Sequence, residues 1–162
     1  MKFIDIKGGF QAIVDDEDYY KLSKYRWHLK SKSKNSKYAE QTSKKDLESS
    51  MHRIVLKAKK GQFIDHINGN TLDNRKENLR FCDLSQNSMN RRISPKNKSG
   101  FKGVVVRKVI YKDRIYKYYI AQIGLRGKKI YLGQFKNIID AAKKYNDTAK
   151  KYFGDFARLN LV

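Results

Sequence analysis

Asp65-His66-Ile67-Asn68-Gly69-Asn70, continued by Asp73-Asn74-Arg75 and Glu77-Asn78-Leu79-Arg80, decides how this chain is read. One imidazole, several carboxylates and several carboxamides lie within residues 65–80, with little that is hydrophobic between them. So polar a segment is not an ordinary core element, because buried polar groups need partners and buried charges need pairing. The remaining choices are a solvated loop and a supported site. The mostly apolar run Met51-His52-Arg53-Ile54-Val55-Leu56 precedes it, and a helix signal opening at Asp83 follows. That setting favours a supported site.

The charge map agrees. The formal net charge is +21 over 162 residues, against about 2 to 8 units for an ordinary small domain. Residues 1–60 carry a net +7, residues 61–95 a net +1 and residues 96–162 a net +13. A nearly neutral, carboxylate-bearing centre therefore lies between basic flanks, which suits an enzyme acting on a phosphodiester backbone. Cys82 is the one cysteine, so neither a disulfide framework nor a cysteine-rich structural zinc site is expected. No apolar run approaches the roughly 20 residues that span a bilayer, and the N-terminus turns charged too early for a signal peptide. The expectation is a cytoplasmic, polyanion-binding protein; charge alone also admits binding at a membrane surface.

Outward from the centre, residues 1–60 read as short strands joined by polar turns. Residues 10–14 and 25–29 are strand candidates, with the acidic residues 15–18 opening a turn or short helix between them. Residues 30–37 read as a mobile loop or hairpin tip, or as a phosphate-contacting loop that orders on binding. Trp27 is assigned to the core. Asp83 is placed at the N-terminus of a helix running to Arg91. Residues 94–100 hold the one proline and no large apolar side chain, so the division reads 1–94, a linker at 95–100, and 101–162. Three strand-like runs follow at residues 101–108, 116–123 and 128–133, the last two a hairpin turning around Gly124–Gly127. Ile138, Ala141, Ala142, Tyr145, Ala149 and Tyr152 recur at helical spacing. That helix must cover one face of the preceding sheet, leaving the other face free to read a groove. The fold class is α+β.

Within the polar stretch, His66 is the candidate general base, since a neutral imidazole takes a proton from water near neutral pH. Asp65 offers an anionic oxygen and Asn87 a neutral carbonyl oxygen to a hard divalent cation. Asn78 suits an organiser of the loop backbone. Neighbouring strand residues point to opposite faces, so Asp65 and His66 converge only where the strand ends or bends; Ile67 is taken to continue it, with the turn at Asn68-Gly69-Asn70. Plainer readings stand beside these: a His66 that only hydrogen-bonds the turn, an Asp65 paired with a nearby Lys or Arg, His28 as structural, His52 as structural or phosphate-contacting, and a calcium-type loop without regular carboxylate spacing.

The same residues resemble the His-Asn-His (HNH) endonuclease family, most of all the homing endonucleases of phages and mobile introns, whose third motif position is Asn. Asp65-His66-Ile67-Asn68-Gly69-Asn70, Asp73-Asn74-Arg75, Glu77-Asn78-Leu79-Arg80 and Asn87 carry the likeness, and residues 12–18 and 51–53 are similar to N-terminal parts of such phage enzymes. The resemblance implies a ββα-metal motif around one Mg2+ or Mn2+. It implies His66 as the water-activating base, Asn78 as the central structural residue, and Asp65 and Asn87 as metal ligands. Double-stranded DNA would be the substrate, with 5′-phosphate and 3′-hydroxyl products. A zinc-stapled subgroup does not fit the single cysteine.

Residues 98–160 resemble the DNA-binding domain of plant ethylene-response transcription factors. Phe101-Lys102-Gly103-Val104, residues 119–123 and 131–135, Ala141-Ala142, Tyr145-Asn146 and residues 154–160 carry this likeness. It places Lys102, Arg107, Gln122, Lys129 and Tyr131 on groove-facing strands; Arg91 and Arg92, which precede that span, are taken as further DNA contacts. Val105 and Gly124 stand where arginines are common in the plant domains, so the sequence read must differ. A DNA-binding regulator with an inactive centre and an RNA-binding protein are the rival classes. A monomer is expected, with a symmetric dimer the alternative route to cutting both strands.

Overall fold

The alternation Ile4, Ile6 against Lys2, Asp5 and Lys7 builds the first strand, β1 (Lys2–Lys7), with the two isoleucines buried and their neighbours exposed. A computed structural model describes residues 1–33, 36–42 and 50–162. β1 pairs antiparallel with β2 (Phe10–Val14) through Gly8-Gly9, both at positive φ, as a tight hairpin turn requires. α1 (Asp16–Leu22) follows and buries Leu22. β3 (Trp27–Ser33) pairs parallel to β1 and antiparallel to β4 (Ser36–Gln41), giving the order β2-β1-β3-β4. The tip expected within residues 30–37 includes 34 and 35, which lie outside the described residues.

Trp27 is buried, and its indole N–H donates to the Leu22 carbonyl at 2.9 Å. It packs with Ile4, Ile6, Ala12, Val14, Ala39 and Met51. Val55 and Leu79 extend that core to α2 (Met51–Val55) and to the polar stretch. There the chain forms β5 (Phe63–His66), a 3-10 turn at Lys76–Asn78, β6 (Leu79–Cys82) and α3 (Leu84–Met89). β5 and β6 are antiparallel. Asp83 caps α3 reciprocally with Gln86: each backbone N–H donates to the other's side-chain oxygen, at 2.7 and 2.8 Å. The helix ends at Met89, two residues short of expectation. β5 ends at His66, so Ile67 belongs to the turn, closed by Gly69 N–H donating to His66 O at 2.8 Å.

The chain divides into two compact units, Met1–Asn87 and Ser88–Val162. In the second, β7 (Val104–Tyr111), β8 (Arg114–Leu125) and β9 (Lys128–Phe135) form an antiparallel sheet in that order. α4 (Ile138–Phe153) buries Ala141, Ala142, Tyr145 and Ala149 against Val104, Ala121, Ile123 and Leu132. Asn137 caps it by accepting from Ile139 N–H. Tyr152 is exposed and Phe153 takes the buried position instead, a shift of one residue around the helix. The first strand also starts later than expected. Phe101-Lys102-Gly103 is a turn, with Gly103 at φ +74°. Gly124 lies within β8, and the β8–β9 turn is made by Arg126 and Gly127. The observed architecture is the α+β arrangement expected: an N-terminal β-rich part, a ββα motif, then a three-stranded sheet carrying a helix.

Candidate active site

His66 closes β5 and is 4% exposed. Its Nε2 lies 3.4 Å from Asn74 Oδ1, and the Asn74 amide in turn donates to Leu72 O. Asn74 is itself fixed from two directions, because its N–H donates to Ile13 O while Ile13 N–H donates to Leu72 O. The edge of β2 therefore holds the loop that holds the imidazole. His52 of α2 and Tyr38 of β4 complete the surroundings, with ring centres 5.3 and 6.0 Å from that of His66. Burial pushes the His66 pKa below its ordinary 6.5, opposed by the Asn74 bond and by the charges of Asp65 and Asp73. Burial thus favours the neutral imidazole.

Asp65, beside it, is buried and pairs with Arg80, which donates from Nε and Nη2 to one carboxylate oxygen at 3.0 and 2.6 Å. The two residues are directly opposed in the β5–β6 register. The charge of Asp65 also reaches Cys82, just before α3; burial, then Asp65, pushes that thiol's pKa up. Asp73 is buried and bonded by Arg75 and by the Asn68 amide. The Arg75 contact holds its carboxyl below the usual carboxylate range.

Asn78 uses both ends of its carboxamide on backbone. Oδ1 accepts from Asn68 N–H at 2.9 Å, and Nδ2 donates to Asp73 O at 2.8 Å. It bridges the two halves of the loop from a buried position. Asn78→Ala leaves the part-buried Asn68 N–H and the buried Asp73 C=O without these partners, an expected loss of about 1–3 kcal/mol. A chemical denaturation curve checks this, and a midpoint equal to the parent's would refute the bridging role.

Asn87 lies exposed on α3, one turn beyond Asp83, to whose carbonyl its N–H donates. Among the described residues, one group of three or more His, Cys, Asp or Glu has metal-binding spacing: Asp15, Glu17 and Asp18. It contains neither cysteine nor histidine, and Lys76 pairs with Glu17 and Asp18. Sequence reasoning assigned no role to Asn74, Arg80 or Tyr38. The Asp65–Arg80 pairing was within reach, since it follows from aligning β5 with β6.

A sequence profile described as HNH endonuclease matches residues 50–89, the span from α2 through α3. A protein of Acanthamoeba polyphaga mimivirus, described as an uncharacterized HNH endonuclease, is 31% identical over 161 residues, covering 96% of this chain and 77% of the relative. The chain belongs to the HNH endonuclease family. No solved structure gives a significant match. The HNH profile ends before the sheet of the second unit, and the viral relative's alignment runs through it.

Sheet register places the other sequence-predicted residues. Val104 and Ala121 are paired and both buried toward α4, so Arg107 on β7 and Gln122 on β8 project from the opposite face. Tyr131 is paired with Gln122, and Lys129 with Gly124, on that same face. Lys102 is not on a strand. Its ammonium donates to the Met89 and Arg91 carbonyls, and burial, with Arg158 and Arg91 nearby, pushes its pKa down to about 8. Arg91 and Arg92 follow α3 and are exposed.

Proposed function

We propose that the protein is a metal-dependent DNA endonuclease of the homing type. His66 activates the attacking water, Asp65 and Asn87 hold one Mg2+ or Mn2+, and Asn78 sets the loop. The observation that carries this reading is a buried imidazole, in contact with Asn74 at a strand end, inside an HNH motif. An Nε2–H donated to Asn74 leaves the lone pair on Nδ1, the atom that would take the proton. One carboxylate and one carboxamide oxygen make a donor set that fits a hard cation. When bound there, such an ion polarises the scissile phosphate and stabilises the departing oxygen. Cleavage would leave 5′-phosphate and 3′-hydroxyl ends.

In this proposal residues 1–94 form the nuclease domain, 95–100 the linker and 101–162 a domain like that of the plant ethylene-response factors. Arg107, Gln122, Lys129 and Tyr131 share a sheet face fit for a DNA groove, and Arg91 and Arg92 add phosphate contacts. Lys102 is engaged by backbone carbonyls, which leaves it a positioning role. A monomer would nick, or cut the strands in sequence.

One observation favours a second reading, a DNA-binding regulator with a silent centre: Arg80 already occupies an oxygen of Asp65. A single assay separates the two. Supercoiled and linear duplex DNA are incubated with the protein in magnesium, in manganese and in EDTA. The endonuclease reading expects scission with either metal and none in EDTA, with ends that ligase accepts. Tight binding without scission in either metal would leave the regulator.

A further inference from the structure

β7 and β8 run well past the part of the sheet that α4 and β9 support. β9 pairs with β8 only from Tyr119 to Leu125. Before that, five pairs from Arg107–Tyr118 to Tyr111–Arg114 form a two-stranded ribbon, with no third strand among the described residues. It extends roughly 15 Å and turns through Lys112 and Asp113, both at positive φ, as a tight hairpin turn requires. Such a ribbon is marginal in water by itself, and a solvated one would carry polar side chains. This one carries Ile110 and Ile115, directly opposed near the tip and 74% and 62% exposed, with Tyr111 and Tyr116 also exposed.

The surroundings of the isoleucines select the partner. Arg107, Lys108, Lys112, Arg114 and Lys117 lie on the ribbon against the single acid Asp113. That charge repels a second copy of the same surface and attracts a polyanion. A two-stranded ribbon also matches the width of a DNA groove. We propose that Ile110 and Ile115, which the register sets on the opposite face of the ribbon from Arg107 and beside Lys108 and Lys117, form an apolar wedge that enters duplex DNA between base pairs and bends it, while Lys108, Lys117 and the tip residue Lys112 hold the flanking phosphates. The proposal rests on the DNA-nuclease reading only in taking duplex DNA as the partner. It adds a contact that reads deformability rather than base edges.

The full-length protein in EDTA, which prevents scission, is titrated onto mixed-sequence duplexes carrying 2-aminopurine at interior steps and fluorophores at both ends. A wedge needs no particular base edge, so fluorescence should rise and the end-to-end distance should shorten on binding. Ile110→Thr with Ile115→Thr keeps the β-branched strand residues; it should abolish the rise and weaken binding about tenfold. A far-UV melt confirms that this variant is folded, and Ile110→Leu with Ile115→Leu should restore the rise. Lys112→Gln with Lys117→Gln should weaken binding and flatten its salt dependence, yet retain the rise at saturation. Saturation of the parent with neither unstacking nor bending overturns the wedge. So does a rise that survives in the threonine variant, or isoleucine dependence confined to phosphatidylserine vesicles. The wedge signal without scission in magnesium would remove the nuclease reading alone, and scission without the signal would remove the wedge alone.

Discussion

His66→Ala is expected to lower the single-turnover rate of DNA cleavage about 10²- to 10⁴-fold, the usual contribution of a positioned general base. His66→Gln should do nearly the same, although glutamine can still reach Asn74 and fill much of the space. That pairing separates lost chemistry from lost packing: both variants lose rate, but the alanine loses more stability. The pH profile carries the same information. With His66 as the proposed base, cleavage would require the neutral imidazole, and burial sets its pKa below the ordinary 6.5. The rate should therefore rise with pH along an acid limb that lies below that of a free imidazole; a bound cation would push the limb further in the same direction. Residual cleavage in either variant with an unchanged acid limb would assign the base to another group.

Why His66 was legible and its support was not follows from what a linear pattern encodes. An imidazole after an aspartate, followed by a glycine turn, marks the HNH motif by residue type. The Asn74 contact depends on β2 clamping the loop through Ile13, some sixty residues earlier in the chain, and no local spacing reports that. α4 was legible because one face is buried along its whole length, and the start of α3 because Asp83 sets an acceptor side chain before it, although Gln86's part in that cap went unread. The boundary errors share a different cause. Ile67 looks like strand by hydropathy, yet the Gly69–His66 turn bond forces it out. Tyr152 and Phe153 are both aromatic neighbours, so the helical period alone did not decide which is buried. β7 and β8 ran past their expected ends because the ribbon exposes both faces and leaves no alternation to detect.

Gly103→Ala should be among the most damaging substitutions in the second unit, and the reason is geometric. Gly103 sits at φ +74°, where an L side chain costs about 1–2 kcal/mol. An added Cβ would fall 1.9 and 2.4 Å from two ring carbons of Tyr145 and 2.7 Å from the Gln122 carbonyl oxygen. Neither neighbour can yield readily. Tyr145 is 3% exposed, packed with Ile123, Ala149 and Phe153, and buried deeply enough that its hydroxyl pKa is pushed up to about 12. Gln122 is tied to the turn by its own N–H donating to Gly103 O at 2.8 Å. Overpacking adds about 1–3 kcal/mol, so the total is expected near ~3 kcal/mol. Gly127→Ala isolates the backbone component, since Gly127 has φ +76° but nothing within 4 Å of its would-be Cβ. Hydrogen exchange at α4 amides should accelerate strongly in Gly103→Ala and only slightly in Gly127→Ala. Equal acceleration would mean that strain in φ accounts for the whole effect and that the Tyr145 contact yields freely. A larger loss at Gly103 would place the close approach of that turn to Tyr145 among the contacts that hold the sheet on α4, and with it the face bearing Arg107, Gln122, Lys129 and Tyr131.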